Sequence, residues 1–339
     1  LGKPAEELIF AANVAILHRL FNFNTVSDLK ITGTFLDEIS HDIPAQNWGE
    51  AEWDADFAHM KAIGINTVIL IRCGYRRFLT YPSRFLTERH DSYMPSKDLV
   101  DMYLRLAEKH GMAFYFGTYD SGSFWDLGRI DKDFKLNLSV VSEVWARYGA
   151  SPAFKGWYLS LELSRRVGTE GVEMYRKLGE HCKAVSGGLP VLMSPYIDGK
   201  KAVMADKSLL RKTESISLAE HEREWDDIFS GLRGGVDIVA FQDGHVDYDE
   251  LPDFLQLNKA LADKHGMRCW TNSETFDRDM PIKFLPIKWE KLWLKLEAAR
   301  AAGIENAITF EFSHFMSPQS AYRQAGHLYN RYREWLEFK

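Results

Sequence analysis

One phrase recurs through this chain and limits its fold more than any other feature. It is a helix with an apolar stripe, then a glycine, then a short and almost purely apolar run. LVDMYLRLAEKHG ends at Gly111 and AFYFGTYD follows; EMYRKLGEHCKAVSGG ends at Gly188 and PVLMSPYI follows. EWDDIFSGLRGG leads through Gly235 to VDIVAFQD, DFLQLNKALADKHG through Gly266 to RCWTNSE, and KLWLKLEAARAAG through Gly303 to NAITFEF. Glycine suits the left-handed position that closes a helix. A uniformly apolar run suits a parallel strand covered on both faces. The rhythm opens with a strand ITGTFLD (31–37), a helix over 48–63 with Trp53, Phe57, Met60 and Ile63 inward, Gly64, and a strand NTVILIR (66–72). FKGWYLSLEL (154–163) behind a helix at 136–148, and a last helix over 320–338 carrying Tyr322, Leu328, Tyr332 and Leu336, bring the count to eight strands and eight helices.

Eight βα units predict an α/β protein of the (β/α)8 TIM-barrel class. An open doubly wound sheet is the alternative, but GTFLDEI stands where that fold carries GxGxxG. No proline- or serine-rich linker divides the chain, so residues 31–339 are expected to form one barrel domain. Residues 1–30 form an N-terminal extension, in which AEELIFAANVAILHRLF (5–21) has the spacing of an amphipathic helix packed on one end of the barrel.

The formal net charge of −6 argues against a nucleic-acid partner, since phosphate binding needs a basic face. No apolar run reaches the ~18 residues of a membrane span. Cys73, Cys182 and Cys269 are scattered and odd in number, so neither a disulfide framework nor a metal motif follows.

In a barrel of this class the site lies at the C-terminal ends of the strands. Those ends carry Asp37, Arg72 and Tyr75, Tyr119 and Asp120, Glu162, Tyr196 and Asp198, Asp243 and His245, Asn272 and Glu274, then Glu311 and His314. Converging acids drive each other's pKa values apart and so divide acid from base. Asp37, Asp120 and Asp198 also suit the capping of a following turn. In RCWTNSE, Trp270, Asn272 and Glu274 share one face, as Tyr158, Ser160 and Glu162 do in WYLSLE. GHVDYDE lacks the glycine and terminal Glu of a calcium loop, and neither HExxH nor an elbow of GxSxG type occurs. No metal and no cofactor is therefore expected. Tyr75, Tyr119, Trp125, Tyr196 and Trp270 are candidates to stack on sugar rings, with core packing the alternative for each.

Glu162 in YLSLELS and Glu274 in TNSETF resemble the strand-four and strand-seven glutamates of the clan A retaining glycoside hydrolases. That resemblance implies an acid/base role for Glu162 and a nucleophile role for Glu274. Leu161 stands where the clan usually places an Asn against the sugar 2-hydroxyl. The stretch GTFLDEISHDIPAQNWGEAEWDADFAHMKAIGINTVIL (33–70) is similar to the opening of a bacterial barrel family, domain of unknown function 4434. This implies the barrel fold, a carbohydrate substrate, and an exported protein of the periplasm or cell surface.

The expected function is cleavage of a glycosidic bond. Glu162 and Glu274 would stand about 5–5.5 Å apart for retention, against roughly 6.5–9.5 Å for inversion. Asp37, Arg72, Asp243, His245, Asn272, Glu311 and His314 would bind substrate. Two alternatives stay open: a pair built on Glu311 and Asp243, and a carbohydrate-binding barrel without turnover. The polar stretch 200–215 is expected to border the cleft.

Overall fold

The computed structural model describes residues 29–41, 43–122, 129–201, 215–278 and 284–337. The helix expected at 5–21, Trp125, and all of 200–215 except Lys200, Lys201 and Ser215 lie outside the described residues.

Eight parallel strands close into a barrel. They are β1 (Ile31–Leu36), β2 (Thr67–Leu70), β3 (Ala113–Gly117), β4 (Phe154–Tyr158), β5 (Val191–Met193), β6 (Ile238–Gln242), β7 (Arg268–Asn272) and β8 (Asn306–Thr309). Each pairs with its neighbours in sequence, and β8 returns to β1, with Thr34 opposite Thr309. The outer helices are α1 (Glu50–Ala62), α2 (Leu99–His110), α3 (Ile130–Tyr148), α4 (Gly168–Ser186), α5 (Leu218–Leu232), α6 (Leu251–Lys264), α7 (Trp289–Ala301) and α8 (Arg323–Glu337). Among the described residues no helix is long and apolar enough to cross a membrane.

The helix-closing glycines behave as their position requires: Gly111 and Gly266 have φ of 62° and 70°, where an L side chain would be strained. After α5 it is Gly234, not Gly235, that takes positive φ. The inward residues of α1, Trp53, Phe57, Met60 and Ile63, are buried, each worth roughly 1.5–3 kcal/mol of apolar burial. Helix α3 begins at Ile130, six residues before the sequence suggests, because the charged turn IDKDFK hides its apolar stripe.

Side chains alternate across the barrel wall as the strand period demands. Phe35, Ile69, Tyr115, Tyr158, Leu192, Ala240, Trp270 and Ile308, one from each strand, fill the interior. Val68, Phe116, Trp157, Phe241, Cys269 and Ala307 face the helices. The chain after β4 leaves the sheet at Tyr158, so Glu162 stands four residues beyond the strand. A small sheet caps the mouth beside β2 and β3: Gly74–Tyr75 and Phe78–Leu79 form a hairpin, and Tyr119–Asp120 pairs with its Gly74–Tyr75 strand.

Candidate active site

A pocket of about 200 Å³ opens at the C-terminal mouth. Its floor is the top of the interior layer, Phe35, Ile71 and Tyr158. One wall is polar, made by Glu162, Gln242, His245, Asn272 and Glu274; the other is apolar, made by Ile43, Phe276, Phe284 and Phe310. The volume lies below the ~300–1,000 Å³ of drug-sized sites, which suits one sugar ring.

Glu162 is carried on an irregular segment that the core fixes. Ser160 N donates to Thr118 Oγ1 (2.9 Å), and Tyr175 OH reaches the carbonyls of Leu159 and Leu161 (3.0 Å each). Leu159, Leu161 and Leu163 are buried on the helix side, while Glu162 projects into the pocket, where water reaches it. The Leu161 side chain therefore faces away from any bound sugar and joins the packing against α4. Gln242 Nε2 donates to Glu162 Oε1 (3.2 Å) and to Ser194 O (2.7 Å). The surrounding protein raises the Glu162 pKa, through loss of solvation, beyond what Arg72 and the Gln242 hydrogen bond recover. Arg72 lines the same pocket and is held by Asp120 (2.7 Å).

Glu274 has the opposite environment. Burial alone would raise its pKa, but Arg278 foremost, with Lys295 and His245, together outweigh burial and hold the carboxyl below its ordinary value. Arg278 forms a fork, Nε to Oε2 and Nη2 to Oε1, both 2.8 Å. Gly244 makes room for the pair, since a Cβ there would come within 1.7 Å of Glu274 Oε2. The backbone of Glu274 is clamped as well. Asp243 Oδ1 accepts from Glu274 N (3.0 Å), and Lys295 Nζ donates to Glu274 O (3.0 Å) and to Asp243 Oδ1 (2.7 Å). Both clamp residues are buried.

Glu162, Glu274, Arg72, His245 and Asn272 thus share one pocket. The other described sequence candidates are set apart from its lining. Asp243 turns behind Glu274 into the clamp, so it holds the backbone and does not face a sugar. Glu311 caps the short helix Phe312–Phe315, accepting from Ser313 N and His314 N, and pairs with His314 Nδ1 (2.5 Å). Burial alone would lower the His314 pKa, but Glu311 raises it to about 9, and the Nε2 side reaches Pro44 O (2.6 Å). Asp37 accepts from Ile39 N and Ser40 N and caps that turn. Tyr119 is buried, with its hydroxyl on Arg76 O, and Trp270 packs in the interior layer beside Tyr115. Tyr75 is buried under His41, and Tyr196 sits edge-on to His245 (5.4 Å). Of the rival pair Glu311 and Asp243, neither carboxylate lines the pocket.

Arg278 and Lys295 escape the reading of strand ends. Lys295 leaves one signal, a charge on the inner stripe of α7 in phase with Leu292, Leu296 and Ala299. Among the described residues, no group of three His, Cys, Asp or Glu side chains is arranged to hold a metal.

A further buried acid, Asp56 on α1, accepts from Ser313 Oγ (2.8 Å) and Ser317 Oγ. Burial raises its pKa to about 7 from 3.8. The folded state therefore favours the proton. The stability this contributes is complete below about pH 4 and is lost as pH rises through 7, an effect of roughly 4 kcal/mol. Asp56→Asn is expected to flatten that part of the profile. Melting curves at pH 5 and pH 8 check it: the parent should lose several degrees more than the variant, and equal losses refute the assignment.

The model of the family described as Domain of unknown function (DUF4434) matches residues 31–322. A crystal structure from Bacteroides thetaiotaomicron VPI-5482, described as a "putative alpha-L-fucosidase", is 61% identical, with a TM-score of 0.89, over 93% of this chain and 97% of that one. An endo-1,4-beta-D-mannanase from Thermotoga petrophila RKU-1 shares the fold at 11% identity and a TM-score of 0.52, over 90% of this chain and all (100%) of that one. A beta-galactosidase from the psychrophilic Marinomonas ef1 does so at 11% identity and 0.56, over 91% of this chain and 60% of that one. No curated protein matches the chain.

Proposed function

The chain belongs to the DUF4434 family, and we propose that it is a retaining glycoside hydrolase with Glu162 as acid/base and Glu274 as nucleophile. One observation carries the reading. Two carboxyl groups line one sugar-sized pocket, and their surroundings push their pKa values in opposite directions, Glu162 up and Glu274 down. That is the division of labour the reaction needs. Ionised Glu274 attacks the anomeric carbon as Glu162 gives its proton to the departing oxygen, leaving a glycosyl ester on Glu274. Glu162 then takes a proton from the water that cleaves the ester. Asn272, on the same wall, anchors its amide nitrogen on Ser194 Oγ (3.0 Å). The apolar wall of Ile43, Phe276, Phe284 and Phe310 offers a surface for the methyl group of a 6-deoxy sugar. With the description of the Bacteroides relative, this makes an L-fucoside the first substrate to assay.

Glu162→Gln tests the reading. The kcat/KM for glycosides with poor leaving groups is expected to fall roughly 10²–10⁴-fold, while kcat/KM for activated aryl glycosides falls far less because they leave without a proton. An equal loss on both series would remove Glu162 from the acid role. The second reading, a carbohydrate-binding barrel without turnover, draws on the Arg278 fork, which occupies both oxygens of Glu274. Under that reading no aryl glycoside is cleaved while sugars still bind.

A further inference from the structure

The most exposed large apolar side chains in the described residues are not scattered. Phe78 (59%), Met94 (56%) and Tyr93 (48%) are neighbours, with the Phe78 and Tyr93 rings 5.4 Å apart. Phe78 sits on the small hairpin that follows β2, on the same end of the barrel as the pocket, and Tyr93 and Met94 sit on the loop beside it.

This surface is built to stay in place. Tyr93 N donates to Arg77 O (2.7 Å), and Arg77 Nε donates to Asp91 O (2.7 Å), so the 91–94 loop is fastened along the hairpin. The Arg77 guanidinium lies 4.1 Å from the Tyr93 ring centre and pairs with Asp91 (2.8 Å). The hairpin turn holds Arg76 at φ 55°, a conformation seldom taken by a residue with a side chain. Fixed exposed aromatic surface of this kind marks a binding site more often than chance packing.

The hairpin also links these rings to the pocket lining. Arg72, on the lining, lies 5.2 Å from the Tyr75 ring centre. Tyr75 is directly opposite Phe78 in the hairpin, so both side chains leave the same face. Phe78 then meets Tyr93. The sheet beneath is tied back to the pocket, because Asp120, which pairs with Tyr75 in the ladder, also receives the Arg72 ion pair.

We infer that Phe78 and Tyr93 form a leaving-group subsite, an aromatic platform that stacks on the sugar rings of an oligosaccharide whose terminal residue fills the pocket. The inference rests on the pocket being the sugar site. A pocket sized for one ring leaves the rest of a glycan outside, and the C–H face of a pyranose covers an aromatic ring well. The rings stand on the same end of the barrel as the pocket, where the remainder of a glycan held there would lie.

The test uses four methyl glycosides, α-L-fucoside, β-D-galactoside, β-D-mannoside and β-D-xyloside. Each is matched with a trisaccharide bearing the same terminal sugar. All are titrated calorimetrically into Glu162→Gln protein, with and without Phe78→Ala and Tyr93→Ala together. Both changed positions are exposed, so the fold is expected to survive, and circular dichroism checks it. For the sugar that fits, the trisaccharide is expected to bind roughly 5–10-fold tighter than its methyl glycoside, and the double change to erase that gain while leaving the methyl glycoside unaffected. Equal loss on both ligands, no loss on the trisaccharide, or no binding by any member overturns the platform. Platform-dependent binding by a parent protein that cleaves nothing sinks the hydrolase reading and leaves the platform standing. Cleavage without platform dependence does the reverse.

Discussion

Replacing Glu274 with Gln is expected to lower turnover by on the order of 10⁴-fold or more, the scale of removing a nucleophile from an intact site. The side chain keeps its shape, so the pocket should keep its sugar and KM should change little. What vanishes is the bond to the anomeric carbon. The same change has a measurable cost in the ground state. Arg278 donates to both oxygens of Glu274, and in the variant one of those donors meets an amide N–H. Two opposed donors in a buried site cost about 1–3 kcal/mol, so a fall in melting temperature should accompany the loss of activity. In Glu274→Ala, which empties that side of the pocket, exogenous azide or formate should restore part of the turnover by attacking the anomeric carbon there, with inversion. Near-wild-type turnover in Glu274→Gln would end the assignment.

The proposed mechanism also sets the pH profile of the parent protein. On it, activity needs Glu274 ionised and Glu162 protonated. Arg278 holds Glu274 low, which moves the acid limb below the ordinary Glu range, and the surrounding pocket wall holds Glu162 high through loss of solvation, which moves the basic limb above it. The bell therefore opens on both sides, and Glu162→Gln should abolish the basic limb alone.

Position at the strand ends is what made the two pocket glutamates legible. Tyr158 and Trp270 fill the barrel interior, and Glu162 and Glu274, each four residues on from them, both reach the pocket. The barrel itself was legible because an apolar run after a helix-closing glycine has few other uses. Asp37 caps its turn, as its position after the strand suggested. The roles of Asp243 and Glu311 were not legible: they stand at strand ends as the barrel pattern requires, yet each turns back to satisfy backbone N–H groups where the strand stops. A sequence shows that a carboxylate occupies the mouth. It does not show whether the nearest donor will be a substrate hydroxyl or a backbone amide a few residues on. Arg278 and Lys295 lay hidden for the converse reason, since their partners are fixed only when the loop after β7 folds against α7.

That contact leads to the second large effect. Lys295→Met is expected to destabilise the protein by about 3–5 kcal/mol, because it leaves Asp243 as a buried carboxylate without its cation. Burial already raises the Asp243 pKa, and Lys295 is the main influence opposing it. Without Lys295 that pKa climbs further, so the folded form prefers the proton and the variant should lose stability as pH rises. Turnover should fall too, since Glu274 O loses the donor that fixes it, and a misplacement of about 1 Å can cost on the order of 10²-fold in rate. The double change Lys295→Met with Asp243→Leu separates the two effects. It removes the lone buried charge, so much of the stability should return. It also leaves Glu274 N and Glu274 O without their side-chain partners, so kcat should stay low while KM for a methyl glycoside is nearly unchanged. Recovery of kcat along with the melting temperature would mean that the pair only supports the fold. A stable double variant with a persistent kcat defect would mean that α7, outside the barrel wall, sets the position of the nucleophile inside it.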